Sequence, residues 1–319
     1  MLIRYDSEET PLLSVCVVTY NQEEYIAQAV ESALMQKTQY PFELLIVDDC
    51  STDGTRGILK KFKEEHDEIG LMLLEENTFR TAKNAYVRVQ ERARGKYINV
   101  LEGDDYWIDP EKLEKQLRFL ADHPDYVAVY TKCVCVGKDS QRIDHVYPDC
   151  PEEDYQMKYW YNWMPPGQTA TRMSVNPSYR PDIDWSLTKK GLEPGDLLRA
   201  YVLALHGKIR CLQEVTSAYR YVTDSGGSYS ANITYSYEKT TDWNENYLQY
   251  TYEHGSDHDI QVAELRYLIG QVQAFKHGKL TLKEALKLKY CKAGKWKLYR
   301  LFALWLFRYY VLHKEISIY

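Results

Sequence analysis

Three carboxylates lie close together in the segment Leu101–Trp107, whose sequence is LEGDDYW. They belong to Glu102, Asp104 and Asp105 and directly follow Tyr97–Leu101, a short apolar run typical of a β-strand. Carboxylates at this spacing repel one another unless a positive charge lies between them, and hard oxygen ligands favour Mg²⁺ or Mn²⁺. Because Mg²⁺ is usually held by one or two carboxylates together with substrate phosphates, the segment predicts a metal site shared with a phosphate-bearing ligand.

A second interpretation of this segment is a solvated acidic turn that ends a strand and leads into a helix. Asp109 and Pro110 fit the N-cap and first position of that helix. Leu113, Leu117 and Leu120 then fall on one face, as in a helix packed on a sheet. The segment alone leaves both interpretations open, and the neighbouring strands must decide between them.

Strands and helices alternate along the first half of the chain. Near-continuous apolar runs at residues 12–19 and 42–47 predict strands buried on both faces of a parallel sheet. Asn21 and Glu24, after the first strand, predict a capping pair for the next helix. The alternation implies right-handed crossovers and an α/β fold, a doubly wound, mostly parallel, Rossmann-like sheet with helices on both faces. Further strands are predicted at 71–74, 97–101 and 127–136, and helices at 56–65, 82–93 and 197–206.

The second predicted strand also ends in acidic residues. An ionised Asp49 can only accept hydrogen bonds, which suits the recognition of a base or ribose at the carboxyl end of a strand. Asp53 and Gly54 account for the turn that follows but leave Asp49 unexplained, so we favour binding over turn chemistry. Neither G-x-G-x-x-G after the first strand nor G-x-x-x-x-G-K-S/T occurs, so metal and carboxylates would have to hold a diphosphate.

Three segments, in this order, resemble the nucleotide-sugar-dependent family 2 glycosyltransferases of bacterial polysaccharide and cell-surface glycan synthesis. The resemblance covers about residues 11–135 and implies an inverting enzyme with a GT-A fold. The matching segments are PLLSVCVVTYNQEEYIAQAVESAL at 11–34, FELLIVDDCSTDGT at 42–55 and ARGKYINVLEGDDYWIDPEKLEKQLRFLADHPD at 93–125.

The resemblance also implies roles for individual residues at the strand ends. Many family members have Asp where this chain has Glu102, which gives E-G-D in place of D-x-D, so Glu102 is expected only to support the site. The residues expected to bind the donor are Thr19, Tyr20, Asp49, Asp104 and Asp105, and Asp104 and Asp105 would also meet Mn²⁺ or Mg²⁺.

A fourth segment, GDLLRAYVLALHGKI at residues 195–209, is similar to the family's catalytic helix. The resemblance makes Asp196 the general base, while an acid at this position could also be a plain helix N-cap. Glu193 is the second candidate base, and Arg220, in a segment like the family's flexible loop, could meet a phosphate. A His often found later in that loop is Thr223 or Asp224 here.

Residues 137–167 are rich in Tyr, Trp, Pro and acids, including the run KYWYNWMPPG at 158–167. Aromatic faces with few polar groups fit sugar rings or a lipid-linked substrate. An aromatic mini-core beneath a long loop is an equally good interpretation. If the chain is a transferase, this stretch is expected to set its specificity.

A basic tail follows an acidic body. The formal charge is -6 overall, but from Lys276 onward eleven Lys and Arg oppose two acids, leaving -15 on the preceding part. The helix predicted within Lys295–Lys314 is basic and aromatic, and its purely apolar run is too short to span a bilayer. It suits an anionic membrane surface or packing on the catalytic domain or a partner subunit. Nucleic acid is not expected as a partner, given the acidic body.

The 319 residues, 45% of them hydrophobic, suit one enlarged domain or a domain with an appendage. We expect a GT-A catalytic domain at 1–231, with a donor half at 11–135 and an acceptor half at 136–231, and a helical C-terminal extension at 232–319. Seven scattered cysteines and the absence of an apolar leader favour free thiols and a cytoplasmic protein, peripheral on the inner face of the membrane if the tail binds lipid.

The predicted activity is transfer of one sugar to a glycan or lipid-linked acceptor, with a UDP-sugar as the favoured donor. Two other classes stay open: a metal-dependent hydrolase of a phosphorylated or sugar substrate, and a non-catalytic nucleotide-sugar-binding adaptor. Asp49 argues against a glycosidase, which needs no nucleotide site, and the Glu102 departure is the support for an adaptor. The sugar, the acceptor and the oligomeric state, including a homo-oligomer, stay open.

Overall fold

The computed structural model describes residues 1–310 except Asp6, Arg80, Trp163 and 223–235, with side chains up to residue 306. The described residues fall into two compact units. The first unit draws on residues 1–156, 164–185 and 206–233, and the second on 157–163, 186–205 and 234–319. None of the seven cysteines, all of which are described, is in a disulfide, as the sequence predicted.

The first unit is built on one mixed, eight-stranded sheet in the order β3-β2-β1-β4-β7-β6-β8-β5. Strands β1 to β4 pair in parallel, β7 is antiparallel to both of its neighbours, β6 is parallel to β8, and β5 is antiparallel to β8. The mostly parallel sheet predicted from the sequence is therefore confirmed. The strands are β1 (Leu13–Thr19), β2 (Phe42–Asp48), β3 (Gly70–Leu73), β4 (Tyr97–Glu102), β5 (Tyr106–Trp107), β6 (Tyr126–Val136), β7 (Met173–Val175) and β8 (Lys208–Arg220).

Four helices accompany this sheet, and three of them begin later than predicted. They are α1 (Ile26–Leu34), α2 (Thr55–Glu65), α3 (Ala85–Arg92) and α4 (Lys112–Asp122). Helix α1 has no side-chain cap, so the predicted Asn21 and Glu24 capping pair is wrong. The predicted N-cap at Asp109 lies too early: Asp109 Oδ1 accepts from Glu111 N, and Glu111 itself is the N-cap of α4.

Burial explains why these segments form a sheet. Every residue of β1 and β2 is buried, as expected for strands covered on both faces. Leu113, Leu117 and Leu120 of α4 are also buried, which confirms the predicted apolar face of that helix.

The second unit is helical. Its core includes a buried aromatic cluster in which the rings of Trp160 and Tyr201 stack at 5.0 Å and Trp160 Nε1 donates to Tyr247 Oη at 3.0 Å. Arg266 lies over the Trp160 ring at 4.6 Å. Of the two interpretations of the aromatic stretch, a substrate surface or an aromatic core, the structure therefore supports the core for Trp160. The helices are α5 (Met157–Tyr161), α6 (Gly195–His206), α7 (Tyr237–His254), α8 (Asp257–Lys276), α9 (Leu282–Ala285) and α10 (Lys295–Tyr310).

Helix α10 buries one face and exposes the other. Leu298, Phe302 and Trp305 pack with Leu268 and Ile269 of α8 in one hydrophobic cluster. Its exposed side chains include Trp296, which is 88% exposed, Arg300 and Leu304. Within the described ranges no helix is long and apolar enough to cross a membrane. The last residues of the predicted basic segment, 311–314, lie outside the described part of the chain.

Candidate functional site

The carboxyl ends of three parallel strands, β1, β2 and β4, meet at one edge of the sheet, which is where open α/β sheets bind ligands. Asp49 N donates to Thr19 O at 2.9 Å, and Gly103 N donates to Val18 O at 2.9 Å. These bonds tie the residues that follow each strand to β1. The sequence-predicted residues at the ends of all three strands therefore lie side by side.

The loops after β1 and β2 are joined by side chains rather than by a glycine-rich phosphate loop. Asn21 has a positive φ of 50°, and its Oδ1 accepts from Thr52 N at 2.8 Å. Asn21 N donates to Ser51 Oγ, and Gln22 N donates to Thr55 Oγ1, each at 2.9 Å. Asn21 thus links two strand ends, which explains why it does not cap α1.

Glu102, Asp104 and Asp105 form a cluster that we call the acidic corner. Asp105 is 2% exposed, and each of its carboxylate oxygens accepts a hydrogen bond. Oδ1 accepts from Arg220 N at 2.8 Å, and Oδ2 accepts from Gln168 Nε2 at 2.7 Å. The same Gln168 nitrogen lies 3.4 Å from Glu102 Oε2. One buried amide therefore links two of the three carboxylates.

Electrostatics make this corner suited to a cation. Burial, followed by the charges of Asp104 and Glu102, raises the pKa of Asp105 well above its usual value. Burial also raises the pKa of Asp104, and the Arg220 charge and the Gln22 hydrogen bond oppose that rise. A divalent ion would relieve the repulsion among these oxygens, and carboxylates are the ligands that Mg²⁺ and Mn²⁺ prefer. The oxygen donors of this corner are therefore chemically compatible with such an ion.

Arg220 is buried beneath this corner, and its guanidinium lies 4.2 Å from the Tyr25 ring centroid. All five of its side-chain N–H groups have protein acceptors, so the phosphate contact expected from the sequence is not what this side chain makes. It instead fixes the backbone beside the acidic corner. The acceptors are Asp104 O at 2.9 Å, Gly137 O at 2.8 Å, Lys138 O at 3.0 Å, Gln28 Oε1 at 2.9 Å and Ser140 Oγ at 3.0 Å.

The residues expected to meet the nucleotide differ in their exposure. Asp49 is buried, and its Oδ1 accepts from both Thr78 N at 2.8 Å and Thr78 Oγ1 at 2.7 Å. Thr19 is buried and donates to Gln22 Oε1 at 2.8 Å, whereas Tyr20 is 44% exposed. Asp49 is therefore held in place from the segment after β3, and Tyr20 presents its side chain to solvent.

The two candidate bases belong to the second unit. Asp196 is half-buried in the first turn of α6. Glu193 Oε2 lies 3.4 Å from Lys239 Nζ of α7, an ion pair that engages this carboxylate. The positions Thr223 and Asp224, where the family often has a His nearby, lie outside the described residues.

Two residues that hold the site were not predicted from the sequence. Gln168 comes from a segment 63 residues beyond Asp105, and its Oε1 accepts from Ala170 N at 2.6 Å, which turns Nε2 toward the carboxylates. Thr78 follows β3 by five residues. Neither position has a spacing or pattern signal, because both contacts depend on chain segments that meet only in the folded sheet.

Gly103 supplies a prediction about this corner. A Cβ added there would lie 2.5 Å from Gln22 Oε1 and 2.7 Å from Thr19 Oγ1. We expect Gly103→Ala to lower the free energy of unfolding by about 1–3 kcal/mol, the usual cost of overpacking. Urea unfolding followed by circular dichroism measures it.

Gly57→Ala is the matched control, because a Cβ at this exposed position of α2 meets nothing within 4 Å. It should raise the free energy of unfolding by about 0.5–1 kcal/mol through helix propensity. Equal effects of the two substitutions would contradict the close packing of Gly103 against β1.

Known proteins similar to this chain include bacterial glycosyltransferases. Over 110 residues the chain is 44% identical to TuaG of Bacillus subtilis (strain 168), provisionally named a teichuronic acid biosynthesis glycosyltransferase, and covers 42% of it with 34% of its own length. Over 109 residues it is 35% identical to WfaP of Escherichia coli, a UDP-Glc:α-D-GlcNAc-diphosphoundecaprenol β-1,3-glucosyltransferase, and covers 41% of it with 34% of its own length. The chain spans about half or less of the length of such curated relatives.

Solved structures share the fold. TarS 1–349 of S. aureus in complex with UDP-GlcNAc is 20% identical with a TM-score of 0.64, over 95% of this chain and 88% of that one. The mannosyltransferase PcManGT of Pyrobaculum calidifontis, in complex with GDP-Man and Mn²⁺, is 16% identical with a TM-score of 0.51, over 98% of this chain and 84% of that one. The GT-A fold inferred from the sequence is confirmed. The family model for glycosyl transferase family 2 matches residues 14–176, just over half of the chain, and the protein belongs to that family.

Proposed function

We propose that this protein transfers one sugar from a nucleoside-diphosphate sugar, with UDP as the nucleotide, to a hydroxyl of a glycan or lipid-linked acceptor. The observation that carries the proposal is the convergence of Asp49, Asp104 and Asp105 at one edge of a parallel sheet. The relatives support the class of reaction: WfaP is named for UDP-Glc, and TarS was solved with UDP-GlcNAc. The product would enter a cell-surface polysaccharide.

The donor's nucleotide is assigned to the β1 and β2 side of this edge. Asp49 can only accept, so it would receive hydrogen bonds from the base or the ribose. Thr19 ends β1 and Tyr20 follows it, and both would line the nucleotide. The acidic corner would face the diphosphate, where like charges require a cation between them. When bound there, Mn²⁺ or Mg²⁺ offsets the negative charge that the leaving diphosphate develops.

Asp196 is proposed as the general base. An inverting transfer needs a carboxylate that removes the proton of the acceptor hydroxyl while its oxygen bonds to the anomeric carbon and the bond to the diphosphate breaks. The first turn of a helix favours an ionised acid, as this role requires. Glu193 is the weaker candidate because Lys239 already engages it.

Donor binding gives the first test. Asp105→Ala should abolish Mn²⁺-dependent binding of UDP in a calorimetric titration, because it removes a carboxylate of the acidic corner. Gln168→Ala should weaken that binding about 10- to 100-fold, as losing a residue that orients a metal ligand commonly does.

Gln156→Ala is the control for Gln168→Ala, since Gln156 also donates to a carboxylate, that of Glu152, but on the surface. It should bind as the wild type does. Failure of the wild type to bind UDP, GDP, CDP or dTDP with Mn²⁺ would remove the basis for a transferase and leave the family likeness as one of fold.

Measurements of turnover distinguish the role of the general base from that of the donor site. Asp196→Asn should lower kcat about 10²- to 10⁴-fold, the usual contribution of a general base, and leave the affinity for UDP within twofold of wild type. Release of UDP in the presence of acceptor measures it. Glu193→Gln should keep most of the activity, and the opposite ranking of the two variants would transfer the role to Glu193.

We propose that the exposed face of α10 binds the anionic lipids on the inner face of the cell membrane. Exposed Trp296 and Leu304 alternate there with the cations Lys297 and Arg300, a composition that suits the headgroup region. The opposite face is already buried within the second unit. Binding to lipid would hold the enzyme beside a lipid-linked acceptor.

Vesicle sedimentation tests this proposal. Lys297→Glu combined with Arg300→Glu should weaken binding to phosphatidylglycerol vesicles about tenfold or more, since each basic residue contributes about 1 kcal/mol. Lys60→Glu with Lys61→Glu, a matched reversal on the exposed face of α2, should change little. Equal binding to neutral and anionic vesicles would rule out the charge-based attachment.

A further inference from the structure

Four partly exposed aromatic rings lie together at the carboxyl ends of β6 and β8. The rings of His145 and Tyr221 stack at 4.0 Å with 9° between their planes. The ring centroids of Tyr219 and Tyr221 are 6.3 Å apart, and the Tyr147 and Tyr219 rings pack edge to face with their centroids 5.5 Å apart. We call these four residues the aromatic platform. His145 is exposed and the three tyrosines are half-buried, so the rings do not belong to the hydrophobic core.

The topology places this platform at the ligand-binding edge. Strand β7 is antiparallel to both β4 and β6, and β8 is parallel to β6. Strands β6 and β8 therefore run in the same direction as β4, and their carboxyl ends lie at the edge that carries the acidic corner. In the strand order, β2 with Asp49 lies on one side of β4, and β6 and β8 lie on the other.

Arg220 joins the platform to the acidic corner through one backbone hydrogen bond. Tyr219 and Tyr221 flank Arg220, whose backbone N–H donates to Asp105 Oδ1 at 2.8 Å. Tyr221 N continues the ladder to Val136 O at 2.9 Å. Because side chains alternate along a strand, Tyr219 and Tyr221 point to the face opposite the Arg220 guanidinium. Tyr219 and Tyr221 are therefore each one residue away from the backbone N–H that binds Asp105.

A charged pair, Asp149 and Lys132, has one member close to the platform residue Tyr147 in the chain. Asp149, two residues beyond Tyr147, is half-buried and lies 3.8 Å from Lys132 Nζ. Burial raises the pKa of the Cys135 thiol, and the charges of both Asp105 and Asp149 add to that rise. Both carboxylates thus act on one point of β6. An aromatic surface bordered by a carboxylate and an ammonium group can hold a flat apolar ring face while binding hydroxyls at its rim.

We propose that the aromatic platform binds a pyranose ring, with the sugar's C–H face on the aromatic rings and its hydroxyls toward Asp149 and Lys132. This inference rests on the proposed function, since it assigns the nucleotide to the β2 side and the sugar to the β6 and β8 side of the acidic corner. The pyranose belongs either to the donor or to the acceptor, and the platform chemistry is the same for both.

The test compares ring-removing and ring-keeping variants of the full chain. Binding of UDP, UDP-glucose, UDP-GlcNAc and a set of methyl pyranosides is measured with Mn²⁺ by calorimetry and saturation-transfer NMR. His145→Ala and Tyr221→Ala should weaken the pyranose-containing ligands about five- to tenfold, the loss expected for one aromatic contact, and leave UDP within twofold. Tyr221→Phe keeps the ring and should behave like the wild type.

His123→Ala is the matched control. His123 stacks on Phe119 at 4.2 Å with 11° between the planes, next to the amino end of β6, at the opposite edge of the sheet. It should change no affinity. A loss confined to UDP-sugars relative to UDP assigns the platform to the donor sugar, and a loss confined to the methyl pyranosides assigns it to the acceptor.

Wild-type affinities for every saccharide in both alanine variants would overturn the platform while UDP binding left the donor site standing. If the wild type binds no nucleotide, the proposed function fails, and the methyl pyranosides alone decide the platform: binding that depends on the rings supports it, and the absence of such binding overturns it.

Discussion

The concentration of negative charge at the acidic corner is the constraint to which the rest of the first unit responds. Burying carboxylates beside one another is unfavourable unless hydrogen-bond donors or a cation compensate. The chain provides neutral donors from three distant places: Gln168 Nε2, Arg220 N and Tyr86 Oη, the last 2.5 Å from Glu102 Oε1. Strands β4 and β8, helix α3 and the turn after Gln168 thereby converge on one point.

Neutral donors bind these carboxylates through hydrogen bonds and bring no positive charge to them. This difference from an ion pair matters for function. An Arg or Lys paired directly with Asp105 would compete with a metal ion and its phosphates for the same oxygens. Arg220 instead directs its guanidinium to backbone carbonyls and to Gln28 and Ser140, and reaches Asp105 through its backbone N–H. Among the residues that the structure describes, no cationic side chain occupies the Asp105 oxygens, and their geometry is fixed.

The strand order places a hydrogen-bond acceptor and a group of aromatic residues at different positions along one edge of the sheet. The hydrogen-bond acceptor Asp49 directly follows β2, whereas aromatic residues lie at the carboxyl ends of β6 and β8. The acidic corner after β4 lies between them. A ligand with a polar base at one end, a diphosphate in the middle and a sugar at the other end has this same sequence of chemistries, which is why the proposed function and the platform are mutually consistent.

The sequence by itself determined the α/β class, five of the eight strands, the residues at the carboxyl ends of β1, β2 and β4, and the apolar face of α4, because burial imposes periodicity on local residues. It missed β5, β7 and β8, and it placed Arg220, the last residue of β8, in a flexible loop. It placed the starts of α1, α3 and α4 too early. Asn21 binds the loop after β2 instead of capping α1, and Asp109 binds Glu111 N and Lys115 of α4 from a position before the N-cap. Only the tertiary structure decided that Trp160 belongs to the core of the second unit and that Arg220 binds the backbone beside the acidic corner. It also decided that Gln168 binds the carboxylate of Asp105 and Thr78 that of Asp49. Those contacts join segments far apart in the chain, and no local pattern encodes which distant side chain completes a buried hydrogen bond.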